Sequence, residues 1–137
     1  VGAEAIQVIY NRLDRRPEER LLPDCQRRNL GVLARVPLAS GFLSGKYKPG
    51  HRFDNASDVR SRRQQKQVDE TLREVERIAR EEAPAGVPLA EWALAWCLKH
   101  PAVTCVIPGC RNAAQVESNA RAAEIDLGAE NHPQAAN

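Results

Sequence analysis

Two short apolar segments of this sequence end in glycine, serine, proline and a cation, residue types that together can hold a phosphate. The first covers residues 32–47 (VLARVPLASGFLSGKY) and the second residues 103–112 (VTCVIPGCRN). A β-branched apolar run predicts a buried parallel strand, and the loop and helix N-terminus that follow such a strand can bind an anion. Two such units predict a phosphate-bearing cofactor at one end of a parallel sheet.

The composition predicts one ordered domain. The chain has 137 residues, of which 42% are hydrophobic and 28% are charged, and its formal net charge is +2. A charge so close to neutral gives no argument for a nucleic acid or a membrane surface as a partner. No apolar run approaches the length of a membrane span, and the first residues do not have the pattern of a secretory signal. We therefore expect a cytoplasmic protein.

The cysteines and histidines do not have the spacing of a metal site. Cys25, Cys97, Cys105 and Cys110 form no Cys-x-x-Cys pair, and the three histidines lie far apart. A structural zinc site needs closer, paired ligands, so we predict none. Cys97 and Cys105 lie in apolar segments and are predicted to be reduced core residues. Cys110 lies in the second of the two anion-type segments.

The elements that must position these segments alternate between strand and helix. Strands are predicted over residues 5–10, 31–36 and 103–107, and helices over residues 17–22, 24–29, 65–82, 89–98 and 113–123. None of the strands alternates strictly between apolar and polar residues, which is typical of strands covered on both faces. This order predicts parallel strands joined by right-handed crossovers. Because three strands alone leave both sheet edges open, we expect an incomplete folding unit.

The connection over residues 48–63 is unusually long and rich in cations, which are Lys48, His51, Arg52, Arg60, Arg62 and Arg63. Loops of this length are usually functional or disordered. Two interpretations stay open. The segment is either a solvated surface loop or a flap that folds over a bound pyrophosphate.

Four motifs, in their order and spacing, resemble the C-terminal half of an aldo-keto reductase, more narrowly the bacterial branch with long loops. They are QxxYN from Gln7, residues 37–47, LAW at residues 94–96 and IPGCRNxxQxxxN at residues 107–119. The resemblance implies an α/β fold that is the C-terminal part, strands 6–8 and the following helices, of a (β/α)8 TIM barrel, incomplete as given. Residues 1–127 would belong to the barrel and residues 128–137 would form a polar C-terminal tail.

The resemblance also implies an NADPH cofactor across the carboxyl ends of the strands. Gln7 resembles the glutamine that hydrogen-bonds the nicotinamide carboxamide, because an amide both donates and accepts. The segment that resembles the one beneath the nicotinamide and pyrophosphate consists of Arg35, Val36, Pro37, Leu38, Ala39 and Ser40. Many relatives have tyrosine at the position of Arg35. Its planar guanidinium can still stack on a ring, or it can pair with a phosphate.

The phosphate contacts implied by the resemblance come from cations and from glycine. Lys46 resembles a contact to the pyrophosphate or a ribose phosphate, and Arg60 resembles an arginine of the flap. Gly109, Cys110 and Arg111 resemble the loop at the adenosine 2′-phosphate. Glycine permits close backbone approach there, and arginine can make paired hydrogen bonds to phosphate oxygens.

The adenosine contacts come from the last helix. Gln115 and Asn119 lie one helical turn apart and resemble the residues that hold the adenine and its ribose. The alternative interpretation is that Gln115 and Asn119 are ordinary polar residues on a helix surface. For Gln7, the alternative is a polar residue that satisfies the end of a strand.

The family's catalytic residues have no counterpart in the motifs matched here. The family uses an aspartate, a tyrosine, a lysine and usually a histidine, of which the tyrosine is the general acid. By the family's order all four would precede residue 1, so no catalytic residue is assigned. Lys46 and Tyr47 do not replace them, because no nearby acid is placed to organise the pair. Tyr10 is interpreted as structural.

Two functions of different class follow. In the first, the chain supplies the cofactor-binding half of an NADPH-dependent oxidoreductase that reduces aldehydes or ketones to alcohols, and it is inactive alone. Its partners would be a small-molecule carbonyl substrate and either the missing N-terminal half of the barrel or a dimer partner. In the second, the chain is a non-catalytic nucleotide-binding or regulatory module, similar to channel-associated β subunits.

Overall fold

Three parallel strands form the sheet in the computed structural model, which describes residues 2–127. The strands are β1 (Ala5–Ile9), β2 (Gly31–Arg35) and β3 (Cys105–Ile107), in the order β1-β2-β3. In register, Ile9 lies opposite Arg35, and Arg35 lies opposite Ile107. The carboxyl ends of all three strands therefore meet at one edge of the sheet. The predicted strands and their parallel arrangement are confirmed, with ends one or two residues shorter.

The helices lie where the apolar periodicity predicts them, except after β1. The α-helices are α1 (Leu21–Arg27), α2 (Gln65–Glu81), α3 (Leu89–Leu98) and α4 (Ala113–Arg121). Short 3-10 turns cover Arg16–Glu19, Ala39–Ser44, Val59–Arg62 and Ala122–Glu124.

The helix predicted over residues 17–22 is wrong. Pro17 lies in a 3-10 turn, and α1 begins only at Leu21. Pro23 is the third residue of α1 and does not interrupt it. The first N–H groups of a helix have no partner within the helix, so a proline that lacks this group is tolerated there.

Helix α3 is the centre of the core. Every residue from Glu91 to Cys97 is buried, including Trp92 and Trp96, as an apolar surface on all sides of a helix predicts. Helix α2 instead buries one stripe, which consists of Val68, Leu72, Val75 and Ile78. Ala79, which the spacing also places on this stripe, is exposed in the last turn.

Within residues 2–127 the sheet is covered on one face only, so the expected cover on both faces stays a prediction for the longer protein. Val32 and Ala34 are fully buried on the face where the helices pack. On the opposite face, Gln7 and Arg35 are exposed. Cys105 points to this same face and is only half-buried, so it is not the core residue that its apolar neighbours predict. Within residues 2–127, no element covers this face, although parallel sheets are normally buried on both sides.

A buried polar network holds the connection between β1 and α1. The Tyr10 hydroxyl donates to Glu18 Oε1 at 2.7 Å, and Arg15 Nη2 donates to Glu18 Oε2 at 2.6 Å. Burial raises the pKa of Tyr10, and so does its hydrogen bond to the Glu18 carboxylate. Burial also tends to raise the pKa of Glu18, but the hydrogen bonds from Arg15 and Tyr10 hold it below its ordinary value. Tyr10 therefore belongs to the core.

Residues 2–127 contain neither a membrane-spanning helix nor a cluster of metal-ligating side chains. None of the helices there combines the length and the apolar character that crossing a membrane requires. No group of three or more histidine, cysteine, aspartate or glutamate side chains is placed to hold a metal ion there. The predicted polar tail, residues 128–137, lies outside the described residues.

Candidate cofactor-binding site

The loop that follows β2 has a backbone conformation that few side chains adopt. In this β2 loop (residues 36–45), φ is 54° at Val36, 49° at Ala39, 57° at Ser40 and 87° at Gly41. A β-branched residue such as Val36 is strained at positive φ, and strain of this kind typically marks a functional site. Asn11 holds the strained position, because its Nδ2 donates to the Val36 carbonyl oxygen at 3.0 Å.

The β2 loop can hold an anion with its backbone. Leu38 has φ −95° and ψ 15°, and the left-handed Ala39 follows it. Right-handed and left-handed residues in succession turn their N–H groups towards one point, which makes a concave anion site. Two N–H groups of this loop, those of Ala39 and Gly41, already donate to backbone carbonyl oxygens, at 3.0 and 2.9 Å. The side chain of Pro37 is buried, those of Leu38 and Ala39 are half-buried, and that of Ser40 is exposed. Of these side chains, Ser40 is therefore the one most open to a ligand.

The flap (residues 48–63) brings Arg60 against this loop. The Arg60 guanidinium lies 4.0 Å from the ring centre of Phe53 and 4.8 Å from that of Tyr47. It also donates to both oxygens of Asp58, at 2.9 and 2.6 Å. A Cβ added to Gly41 would lie 3.1 Å from Arg60 Nη1. With its side chain only 13% exposed, Arg60 is held in place before any ligand arrives.

These contacts favour a flap over a fully solvated loop. Phe53 packs edge-on against Phe42 of the β2 loop, with ring centres 5.7 Å apart, and also contacts Tyr47. Arg63, at the end of the flap, lies over Phe42 as well. The position of the flap over a pyrophosphate stays a prediction.

Arg111, in the loop after β3, has a small charge effect on Asp58 of the flap. Hydrogen bonds from the Arg60 side chain and backbone lower the pKa of Asp58 to about 2, and Arg111 contributes a further charge effect. The hydrogen bond to Asp58 raises the pKa of Arg60 in turn, although burial opposes it. Arg60 and Arg111, 51 positions apart in sequence, thus act on the same carboxylate.

The β3–α4 loop (residues 108–112) opens towards solvent. Gly109, Cys110 and Arg111 are exposed, and no atom lies within 4 Å of where a Cβ on Gly109 would be. The loop ends in a helix cap: Asn112 Oδ1 accepts the Gln115 N–H at 2.9 Å, and Gln115 Oε1 accepts the Arg111 N–H at 2.7 Å. Gln115, predicted to hold adenosine, therefore also fixes the loop that carries Arg111. Asn119 is half-buried one turn further along.

Two adjoining clefts lie at the ends of β1 and β2, with volumes of about 500 and 560 Å³. Gln7 and Arg35, the predicted nicotinamide contacts, line the smaller one, and Ser40 and Arg63 line the larger. Arg16 lines both. Lys46 is exposed just beyond the left-handed Gly45. The clefts thus bring together only part of the predicted set, and that every predicted residue contacts one cofactor stays a prediction. The residues that line neither cleft include Lys46, Arg60, Gly109, Cys110, Arg111, Gln115 and Asn119.

Sequence reasoning missed several residues that build this site. Asp58 orients Arg60, Phe53 supports it, and Asn11 fixes Val36. One signal was available: an aspartate two residues before Arg60 is a good N-cap, and Asp58 Oδ1 accepts the Arg60 N–H at 2.9 Å. Phe53 has no local signal beyond being an aromatic residue in a polar segment.

The arrangement fits a phosphate-bearing nucleotide. Left-handed backbone, two arginines and an open glycine lie at the carboxyl edge of a parallel sheet, the edge at which (β/α)8 enzymes bind their ligands. The chain belongs to the aldo/keto reductase family, whose model matches residues 1–136. Members of this family are generally oxidoreductases that act on small-molecule carbonyl compounds with NAD(P)H.

Curated relatives include proteins of two kinds. The chain is 35% identical over 133 residues to a probable voltage-gated potassium channel subunit beta of Oryza sativa, covering 91% of this chain and 40% of that protein. It is 33% identical over 124 residues to the L-glyceraldehyde 3-phosphate reductase of Escherichia coli K12, covering 85% and 35%. The chain therefore spans well under half of the length of these relatives.

Solved structures agree with the fold. A glycerol dehydrogenase of Gluconobacter oxydans matches with a TM-score of 0.75 and 26% identity, over 84% of this chain and 36% of that one. The holo form of an aldo-keto reductase of Bacillus halodurans matches with a TM-score of 0.66 and 34% identity, over 93% and 39%. The α/β fold thus matches part of an aldo-keto reductase barrel.

Proposed function

We propose that this chain is the C-terminal, cofactor-binding part of a cytoplasmic, NADPH-dependent oxidoreductase that reduces aldehydes or ketones to alcohols. Its strands β1 to β3 would be the sixth to eighth strands of the (β/α)8 barrel. The observation that carries the proposal is the meeting of Arg60, Asp58 and the left-handed β2 loop at the carboxyl edge, within the electrostatic reach of Arg111. The partial coverage of longer relatives supports it.

NADPH, when bound, would supply the hydride. Gln7 would hold its carboxamide on the uncovered sheet face, and Arg35, at the end of β2 on that face, would lie against the nicotinamide or a phosphate. The β2 loop with Lys46 and Arg60 would hold the pyrophosphate. Backbone N–H groups and a fixed guanidinium suit this role, because they need little rearrangement when the anion binds.

The 2′-phosphate end would lie at the β3–α4 loop. Arg111 is the charged group there, and Gly109 leaves room for the ligand. Gln115 and Asn119 would contact the adenosine from the first turns of α4. In this proposal the catalytic tetrad lies on a segment that precedes residue 1, so the 137-residue chain alone does not turn over substrate.

Cofactor titration of the full protein that carries this sequence tests the proposal. Arg111→Gln is expected to weaken NADPH binding about tenfold or more, because a hydrogen bond to a charged group contributes about 1.5–3 kcal/mol. NADH, which lacks the 2′-phosphate, should bind equally to both forms. Arg20→Gln, at an exposed arginine before α1, is the matched control. Equal losses for NADPH and NADH would contradict the proposal.

A second function is favoured by one comparison, the 35% identity to a protein described as a probable potassium channel subunit beta. On this alternative the chain belongs to a nucleotide-binding regulatory module without required catalysis. Aldehyde-dependent oxidation of bound NADPH by the full protein would support the reductase. Tight NADPH binding without hydride transfer to any of a panel of aldehydes, together with a stoichiometric protein partner, would support the module.

The intact mass of the protein in its own cell extract decides which molecule to test. A mass well above the 15.2 kDa of this chain supports a longer barrel, and the tetrad would then be sought before residue 1. A mass of 15.2 kDa would mean a half-barrel, whose completing partner would be a second copy or another chain.

A further inference from the structure

Helix α4 has an unusual attachment to the rest of the protein. None of its nine residues is buried, although surface helices are normally held by an apolar face against the core. Burial begins only after the helix, at Ala122 and Leu127. Within α4 itself, polar contacts to α3 therefore help to set how the helix is rotated, in addition to the buried Ala122 that directly follows it.

Glu91 of α3 makes those contacts. Its Oε1 accepts hydrogen bonds from Ser118 Oγ at 2.7 Å and from Arg121 Nε and Nη2 at 3.1 and 2.8 Å. Glu91 is only 6% exposed. The hydrogen bond from Ser118, followed by that from Arg121, keeps the pKa of Glu91 below its ordinary value, so the group is a carboxylate at neutral pH.

The anchored residues lie beside the proposed adenosine contacts. Gln115 lies three residues before Ser118 and four before Asn119, so it neighbours both of these side chains on the surface of α4. A rotation of the helix about its axis would move Gln115 and Asn119 together. The N-terminal cap by Asn112 fixes the other end of the same segment.

We infer that Glu91 is a positioning residue for the adenosine end of the cofactor. It touches no ligand, and it acts through Ser118 and Arg121 by holding α4 at the orientation in which Gln115 and Asn119 meet the nucleotide. This inference rests on the proposed function, because it takes α4 as the adenosine-binding helix.

Glu91→Gln in the full protein tests this role, since glutamine keeps the size of the side chain and loses the charge that pairs with Arg121. Two ligands are titrated: NADPH and reduced nicotinamide mononucleotide, which has no adenosine. We expect Kd for NADPH to rise about tenfold, in line with the loss of a charge-assisted hydrogen bond. Kd for the mononucleotide and kcat at saturating NADPH should not change. Ser118→Ala should shift the same ratio in the same direction, by less.

Glu82→Gln is the matched control. Glu82 pairs with Arg12 at 2.7 and 2.8 Å and with Arg77 at 3.2 Å, so it is a comparable ion pair that joins α2 to the segment after β1. Both variants should lower the melting temperature, and only Glu91→Gln should change the ratio of the two dissociation constants.

Three results would overturn the inference. The first is an unchanged ratio in Glu91→Gln and Ser118→Ala, and the second is the same change in Glu82→Gln. The third is a parallel loss of both ligands, which would show a purely structural role. Failure of the unmodified protein to bind NADPH would instead overturn the proposed function, and with it the role of α4.

Discussion

Arg60 and Gly41 show how single residues shape the proposed phosphate site. Gly41 has φ 87°, and a Cβ at this position would lie 3.1 Å from Arg60 Nη1, closer than an ordinary contact. Gly50 has nearly the same φ, 89°, but nothing lies within 4 Å of its absent Cβ. The two glycines therefore separate the requirement for left-handed backbone from the requirement for space beside Arg60.

Replacing each glycine by alanine tests this separation. Both Gly41→Ala and Gly50→Ala should lower the unfolding free energy by about 1–2 kcal/mol, because a side chain is disfavoured at positive φ. Only Gly41→Ala should also weaken NADPH binding, since it displaces Arg60. Denaturant unfolding and NADPH titration of the full protein measure the two effects. Equal NADPH affinity in the two variants would contradict the proposed contact.

The unfolding free energy depends on pH through the Glu18 carboxyl group. Its pKa in the folded protein is below the ordinary 4.5, so folding is favoured by the carboxylate form. This stabilisation is complete above 4.5 and is lost as pH falls through the lowered folded pKa. We expect the unfolding free energy to decrease below about pH 4.5 and the decrease to be smaller in Glu18→Gln. Replacement of the exposed neighbour Glu19 by glutamine controls for the removal of a carboxylate, and an unchanged slope in Glu18→Gln would be inconsistent with this explanation.

At the level of elements, the flap is held by side chains rather than by regular structure. Phe53 lies between Phe42 and Tyr47 and supports the Arg60 guanidinium. A cation over an aromatic ring contributes about 0.5–2 kcal/mol, the larger value where water is excluded. The flap is therefore held against the β2 loop by an aromatic cluster, and the ion pair between Asp58 and Arg60 lies within the flap itself.

Phe53→Leu should loosen the flap without unfolding the core. Leucine fills part of the volume but offers no ring face to Arg60, so backbone amides of residues 48–63 should exchange hydrogen faster. NADPH should also dissociate faster from the full protein. Amides of α3, whose residues 91–97 are all buried, serve as the internal reference. Uniform acceleration across both regions would point to global destabilisation instead.

The elements that sequence predicts well are those with a strong local pattern. Helices α2, α3 and α4 each have a pattern that lies within a few neighbouring residues. These patterns are the apolar stripe of α2, the apolar surface of α3 and the Asn112 cap of α4. The turn after β1 was mispredicted because Pro17 and Pro23 are both compatible with a first helical turn.

The parts of the candidate site that sequence did not reveal depend on distant contacts. Val36 is β-branched and disfavours positive φ, so no local rule places it there, and Asn11 holds it from 25 positions away. In the sequence, Glu91 is only a polar residue within an apolar helix. Its role depends on Ser118, which lies 27 positions later and donates a hydrogen bond to it. The loops themselves were predictable, because glycine and proline follow apolar strands in both segments.

The molecule as a whole has an uncovered sheet face and two open sheet edges within residues 2–127. Ile9 and Ile107 are 37% and 38% exposed at the ends of the outer strands β1 and β3. Unpaired strand edges beside apolar side chains promote association, because another chain can add its own strands. The proposed barrel would cover this face with the strands that precede β1.

The 137-residue chain produced alone should therefore self-associate. We expect its average mass in sedimentation velocity to increase with concentration, and Ile107→Lys to reduce this increase by placing a charge on the uncovered face at the sheet edge. Val59→Lys is the matched control, since Val59 is an apolar flap residue that is 64% exposed and belongs to no strand. A chain that stays monomeric at every concentration and unfolds in one sharp transition would contradict this prediction. It would show that three strands and their helices fold independently, and the uncovered face would then need another explanation than a missing part of the barrel.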